Sequence, residues 1–529
     1  MKADLLCRGL IALSVATITL PFGAPPAQAG HRVPIAGQAT AYELSARVDR
    51  LTPKRKPRRA VIIQPRINPL AGEPGQGRRG TWTRAARLFD PLVRRSQNRA
   101  GRAPRLDLRF DGSKNPAACG GCSPPDTNGD VGPNHYIQLV NATKVAIYDK
   151  AGNLLTAPFD LGDLWSRGRC RRNDGDPIVL YDETADRWLL SQFAFDKYLC
   201  FAISQTSDPL GAYHLYTFNV GSFPDYFKVG VMRKGYFVGA NERTYTAYAF
   251  DRRKMLRGNR NASFVKFAGE TNFLMPADVD GSTNPPSNGL FYTFKDDSFH
   301  GGSDRIELFE LAPDFATPAN STFQRIATIP IAPFTYTVCG FFNFNCIRQK
   351  STTRRLDTVS EWPMQRLVYR RVRTHQALIG NFTVGGGLGE QGAAIRWFEL
   401  RKSSIGAWVL YQEGTHDPGD GNDRFMGSIA MDKAGNIALG YSVSSSGMYP
   451  SVKYVTRRAS DPLGTMRTER TLKNGRGAQT ASNRWGDYSA MTVDPTTGCQ
   501  FWYTNEFYSA NSFSNWKTVV GAFTDPTCQ

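Results

Sequence analysis

Between Asp176 and Phe218 the chain alternates short apolar runs with turn-forming residues. Four runs, near Pro177–Tyr181, Arg187–Phe193, Leu199–Ser204 and Ala212–Phe218, are each four to eight residues long and rich in β-branched or aromatic side chains. They are separated by Asp182-Glu183-Thr184-Ala185-Asp186, Asp196-Lys197 and Ser207-Asp208-Pro209-Leu210-Gly211. Asp, Ser, Pro and Gly make turns by bonding their own backbone, presetting φ or tolerating unusual φ. The pattern predicts a four-stranded antiparallel meander, the unit of a β-propeller.

The unit recurs. An Asp-bearing turn leads into an apolar strand at Asp126/Asp130, Asp174/Asp176, Asp225, Asp278, Asp357, Asp423 and Asp487. Successive intervals from Asp126 are 50, 49, 53, 79, 66 and 64 residues. A blade takes about 40–50 residues, so the last three intervals leave room for insertions. One insertion holds Cys339 and Cys346. Ser207-Asp208-Pro209-Leu210-Gly211 returns as Ser460-Asp461-Pro462-Leu463-Gly464, each copy between two apolar strands. The expectation is an all-β, seven-bladed propeller over residues 104–529. Because an open edge strand invites aggregation, the alternating Arg105–Phe110 is expected to complete the last blade beside Thr518–Phe523.

Residues 1–29 read as a secretory signal: Lys2 and Arg8, an apolar Leu10–Leu20, and Ala27-Gln28-Ala29 as the cleavage site. No later apolar run approaches the eighteen or so residues of a membrane span. A secreted, extracellular or periplasmic monomer is expected. The eight cysteines beyond the signal favour disulfides in an exported chain. Pairing of sequence neighbours predicts Cys119–Cys122, Cys170–Cys200, Cys339–Cys346 and Cys499–Cys528. Cys119-Gly-Gly-Cys122 also has thioredoxin-motif spacing, but no βαβ pattern surrounds it, which favours a loop staple.

The net charge of +19 changes the picture of the N-terminus. Residues 31–105 hold 18 Lys and Arg against 4 Asp and Glu, whereas residues 106–529 hold 45 against 41. Residues 30–103, densest at Lys54–Arg59, are therefore expected to be a disordered basic leader or propeptide, dispensable for the fold. A tether to anionic surface polymer is the second reading. Nucleic acid is disfavoured, since no aromatics are interleaved for stacking. A short helix around Thr83–Arg95 is the one local structure expected there.

Radial repetition should bring the Asp-bearing turns to one face of the central channel. Glycoside cleavage needs carboxylates, one protonating the leaving oxygen and one attacking or activating water. The candidates are Asp176, Asp225, Asp278, Glu361 and Asp487. Tyr226 and Tyr488 could act as acid or base, Arg484 and Arg305 could balance the charge, and Trp485, Trp165 and Trp362 could stack on sugar rings. Against this, Asp caps turns and propellers bury aromatics between blades. Asp126, Asn128 and Asp130 have the 1-3-5 oxygen spacing of a calcium loop, but Val131 replaces the glycine and no acid fills position twelve. There is no HExxH and no GxSxG.

Pro124–Asn141 (PPDTNGDVGPNHYIQLVN), Gly175–Phe193 (GDPIVLYDETADRWLLSQF) and Arg484–Phe507 (RWGDYSAMTVDPTTGCQFWYTNEF) resemble a family of exported bacterial propeller proteins without an established activity. The resemblance spans about residues 110–529 and implies the propeller. Ala202–Phe218 is similar, over one blade, to the third-to-fourth strand passage of arabinanase-like glycoside hydrolases. The sequence thus leads to a propeller that binds, and in one reading cleaves, extracellular polysaccharide. The alternative is a non-catalytic adhesion or protein-interaction platform.

Overall fold

The computed structural model describes residues 32–51, 90–93, 101–281, 284–339 and 346–529. The signal-peptide reading and the Lys54–Arg59 run lie outside the described residues, as does most of the helix expected around Thr83–Arg95; of its span only 90–93 are described, as a turn.

The described chain is nearly all β. After β1 (Ile35–Leu44) and β2 (Leu108–Lys114) come successive antiparallel meanders. They are β3–β6 (Asn128–Val131, His135–Val140, Lys144–Asp149, Phe159–Asp160) and β7–β10 (Gly175–Asp182, Arg187–Ala194, Tyr198–Ser204, Tyr213–Asn219). Next are β11–β14 (Asp225–Val231, Gly235–Asn241, Tyr245–Asp251, Ser263–Glu270) and β15–β18 (Met275–Val279, Gly289–Lys295, Arg305–Ala312, Thr322–Pro330). Then follow β19–β22 (Met364–Val372, His375–Val384, Ala394–Lys402, Val409–His416) and β23–β26 (Asp423–Met431, Ile437–Ser445, Met448–Arg457, Arg470–Lys473). The last strands are β27–β29 (Ala490–Val493, Gln500–Phe507, Lys517–Thr524).

The first strands of the meanders make a ring. β3 contacts β7, β7 contacts β11, and contacts continue through β15, β19 and β23 to β27, which returns to β3. This is propeller architecture. Two pairings extend its sheets beyond single meanders. β15 pairs in parallel with β19, so β15–β22 form one eight-stranded sheet. β2 pairs with β29 (Leu108↔Ala522, Phe110↔Val520), so a strand from before the ring completes the last sheet. The two SDPLG copies lie where they were expected, between β9 and β10 and between β25 and β26. In the first, Asp208 Oδ1 accepts Leu210 N–H at 2.9 Å.

The disordered-leader expectation fails for the described part of residues 30–103. β1 lies between two outer strands, pairing with β10 (Tyr42↔Tyr216) and with β14 (Ala36↔Val265), which joins both meanders into a nine-stranded sheet. The turn after it is docked too: Val48 N–H donates to Gly211 O at 3.1 Å. Further on, Asp90 is buried and paired with Arg396 at 2.8 Å, both side chains 0% exposed. Asp90 also accepts from Thr415 Oγ1 at 2.7 Å and caps its own turn at Leu92 N–H. The backbone edges of β10 and β14 need hydrogen-bond partners whatever the charge of the segment supplying them.

The four neighbour disulfides are formed: Cys119–Cys122, Cys170–Cys200, Cys339–Cys346 and Cys499–Cys528. Aromatic side chains fill the spaces between meanders, with Trp188, Trp397, Trp485, Trp502 and Trp516 all buried. No helix of the described residues is long and apolar enough to cross a membrane.

Candidate functional site at the starts of the inner strands

Where β3 and β7 begin, the backbone turns into the left-handed region at Asp126 (φ +42°) and Asp176 (φ +49°); at β11 it is Tyr226 (φ +53°). Asp and Asn visit this region more readily than most side chains. Here the carboxylates also reach a neighbour. Asp126 Oδ1 accepts Asp487 N–H at 2.7 Å and its Oδ2 accepts Asn141 Nδ2 at 2.7 Å. Asn141 Oδ1 accepts Asp176 N–H at 3.2 Å, and Asp176 Oδ2 accepts Tyr226 N–H at 3.1 Å. One hydrogen-bonded chain thus runs from before β27 through β3 and β7 to β11.

Lys228 of β11 sits at its centre, fully buried. Its Nζ donates to Tyr226 O at 2.9 Å and Phe227 O at 3.3 Å, and lies 3.3 Å from the Tyr226 ring centroid and 4.1 Å from that of Tyr488. Burial pushes this ammonium below its ordinary value, opposed by Asp176, Asp126, Asp487 and Asp225. Burial pushes Asp176 up; Asp225 adds to the shift and Lys228 opposes it. Asp126 is raised as well, by burial and then by Asp487 and Asp176. Arg484 pairs with Asp487 at 2.5 Å. Glu506 accepts Gly486 N–H through one oxygen, while its Oε2 and Asp487 Oδ1 are buried without a hydrogen-bond partner among the described residues. Burial raises the Glu506 carboxyl strongly.

Asp278 does not join this group. It is the fourth of five residues in β15, whereas Asp176 and Asp225 stand second and first in β7 and β11. It belongs to a second cluster: Arg366 reaches Asp278 at 2.5 Å and Asp280 at 2.6 Å, and Asp278 Oδ1 accepts Val231 N–H at 2.9 Å. Burial pulls the Arg366 guanidinium down, but Asp280, Asp278 and Asp130 together hold it above its ordinary value.

The other sequence candidates separate. Asp225 is half-buried and accepts from Asn241 at 3.4 Å. Glu361 is half-buried in the connection before β19. Arg305 lies on β17, bonded to Glu307, Gly301 O and Ser303 O, and is no partner of the ring. Trp485 is buried and donates to Ser442 Oγ, so no sugar can stack on it; Trp165 and Trp362 are also buried. The Tyr226 and Tyr488 hydroxyls are buried and donate to Pro363 O and Pro177 O.

The calcium-loop reading is corrected. Asn128 and Asp130 belong to a strand rather than a loop. Asn128 Oδ1 accepts Val179 N–H at 2.8 Å and Asp130 Oδ2 accepts Tyr181 N–H at 2.7 Å. Among the described residues the carboxylates close enough to share a cation are instead Asp296, Asp297 and Asp304. There Asp296 accepts Ser298 and Tyr336 N–H, and Asp304 accepts Asp297 and Phe334 N–H.

Sequence reasoning passed over Lys228, Arg366, Asp280 and Glu506. For Lys228 and Glu506 the available signal was a charged residue inside a largely apolar or aromatic strand, since such residues are almost never buried unless paired.

The clusters set a pH dependence. Burial raises Asp130 to about 7 and Asp278 to about 6. Above the unfolded value near 4 the native state therefore holds more protons than the unfolded chain, so stability falls as pH rises through this window. At the acid side, Arg424 outweighs burial and holds Asp420 at about 2, so its contribution is lost below about pH 4. The melting temperature should peak near pH 5 and be several degrees lower at pH 8. A steady rise from pH 5 to 8 in calorimetry would refute this.

No family model matches the chain, and no curated protein sequence matches it. Solved structures do show likeness. The WD40 domain of SCAP from fission yeast aligns with TM-score 0.34 and 8% identity, over 75% of this chain and 95% of that one. The Dos1 propeller aligns with TM-score 0.30 and 9% identity, over 79% and 95%. An endo-arabinase from Bacteroides thetaiotaomicron aligns with TM-score 0.28 and 14% identity, over 55% and 95%. At these distances they are likenesses of shape, and no site is carried over from them.

Proposed function

We propose that the chain is an exported seven-bladed propeller acting as a rigid, non-catalytic platform that binds extracellular polysaccharide through the loops leading into its inner strands. The blade count rests on the closed succession of contacts from β3 through β27 back to β3, each of these strands opening one meander. The observation that carries the non-catalytic reading is Lys228, fully buried between Tyr226 and Tyr488 where the channel mouth would lie. Glycoside cleavage needs two carboxylates facing a sugar, about 5–10 Å apart with room between them. Asp126, Asp176 and Asp487 are at most 6% exposed, and Asp126 and Asp176 are bound to backbone amides of neighbouring strands.

The test is incubation of the purified protein with a polysaccharide panel, read for binding and for new reducing ends or unsaturated products. Binding without product is expected. Turnover abolished by Asp225→Asn, which leaves the buried groups intact, would overturn the reading in favour of an enzyme.

A further inference from the structure

A cavity of about 430 Å³ opens between the loop leading into β19 and the loop leading into β27, lined by Thr352, Thr353, Arg354, Arg355 and Thr480. Its walls are locked. Ile347 and Leu356 exchange backbone hydrogen bonds at 3.1 and 2.9 Å. The buried Gln349 ties both loops together: Nε2 donates to Arg354 O and Gln479 O at 3.0 Å each, and Oε1 accepts Gln479 N–H at 2.9 Å. Asp357 N–H donates to Asn483 O at 2.9 Å. Yet neither Arg354 nor Arg355 forms an ion pair with a described residue, and Arg354 is exposed.

We propose that this cavity binds a compact oxyanion, a sulfate ester or a uronate carboxylate, carried on a sugar of an acidic polysaccharide; the proposal rests on the platform reading above. Two guanidinium forks with threonine hydroxyls supply donors, and among the described residues no carboxylate lines the cavity to compete for them; this is the arrangement that recognises oxyanions. The volume is that of a ligand pocket and exceeds what one oxyanion fills, so the anion arrives attached to something larger. Among the described residues no aromatic side chain lines the cavity, and single-stranded nucleic acid would need one for stacking. The hydrogen-bonded loop backbones leave only the side chains, chiefly the two arginines, to be ordered on binding.

Titration calorimetry of the full chain with length-matched sulfated, uronate and neutral oligosaccharides, with inorganic sulfate and an oligonucleotide alongside, tests this. The sulfated or uronate chain should bind at least tenfold more tightly than the neutral one, and the affinity should fall with added salt. Which of the two binds identifies the oxyanion. The Arg354→Gln/Arg355→Gln variant should lose that preference with an unchanged melting temperature. Equal binding of neutral and acidic chains would end the proposal while leaving the platform standing. Binding of the oligonucleotide alone would end both, as would failure of every oligosaccharide to bind. Undiminished binding by a folded variant would move the acidic site elsewhere and overturn the proposal.

Discussion

A protein that begins at Arg105 should melt roughly 10 °C or more below one that keeps residues 32–103, or fail to accumulate folded. Removing that segment takes away β1, which pairs on both sides, and leaves the outer edges of β10 and β14 bare. Bare edges lose their hydrogen bonds and become templates for aggregation. It also removes Asp90 and strands Arg396 in the interior; breaking a buried ion pair by deleting one partner costs about 3–5 kcal/mol. Asp90→Ala in the full chain isolates that second effect. Differential scanning fluorimetry of the three proteins gives the comparison, and matching melting temperatures for the truncated and full chains would show that the segment contributes nothing.

Lys228→Met should be the most damaging single change at the inner-strand starts. The side chains are similar in length, so the loss is one of charge: Asp176 and Asp126 stay buried with Lys228 gone, and Arg484, paired with Asp487, is the cation left in the group. The expected cost is about 3–5 kcal/mol near neutral pH. It should shrink toward pH 5, because a carboxylate already raised by burial can take a proton instead. Asp225→Asn, at a half-buried position, should cost far less. Chemical denaturation at pH 5 and pH 8 gives both numbers; a penalty independent of pH, or none at all, would mean that Lys228 does not neutralise this group.

The meanders were legible because each strand has one apolar pattern and each turn its own chemistry; Asp176–Phe218 maps directly onto β7–β10. Regularity misled where the connection was long: β19 begins at Met364, seven residues after Asp357, and Asp278 lies inside its strand rather than ahead of it. β1 was invisible for a different reason. Its residues are mostly exposed or half-exposed, and it is held through the backbone on both edges, so Ile35–Leu44 carries no strong periodicity and sits in a basic context. The Asp ring was partly legible as positions and not as roles. Sequence shows carboxylates before strands, but that Asp126 and Asp176 reach the backbone of neighbouring strands depends on a register that only the closed ring supplies.

The place of β1 also orders events in time. Ile35–Leu44 is synthesised before either strand it joins, and its partner β14 ends at Glu270, more than two hundred residues later. β2 waits longer still, for Lys517–Thr524. Contacts this distant in sequence form late, because the loop they close must be ordered first. Two N-terminal strands therefore remain unpaired while the meanders between them assemble, and the final steps of folding are their insertion. A chain arrested after β14 could seat β1 but not close the ring, so β1 pairing and β2 pairing should appear as separate kinetic phases in pulse-labelled hydrogen exchange.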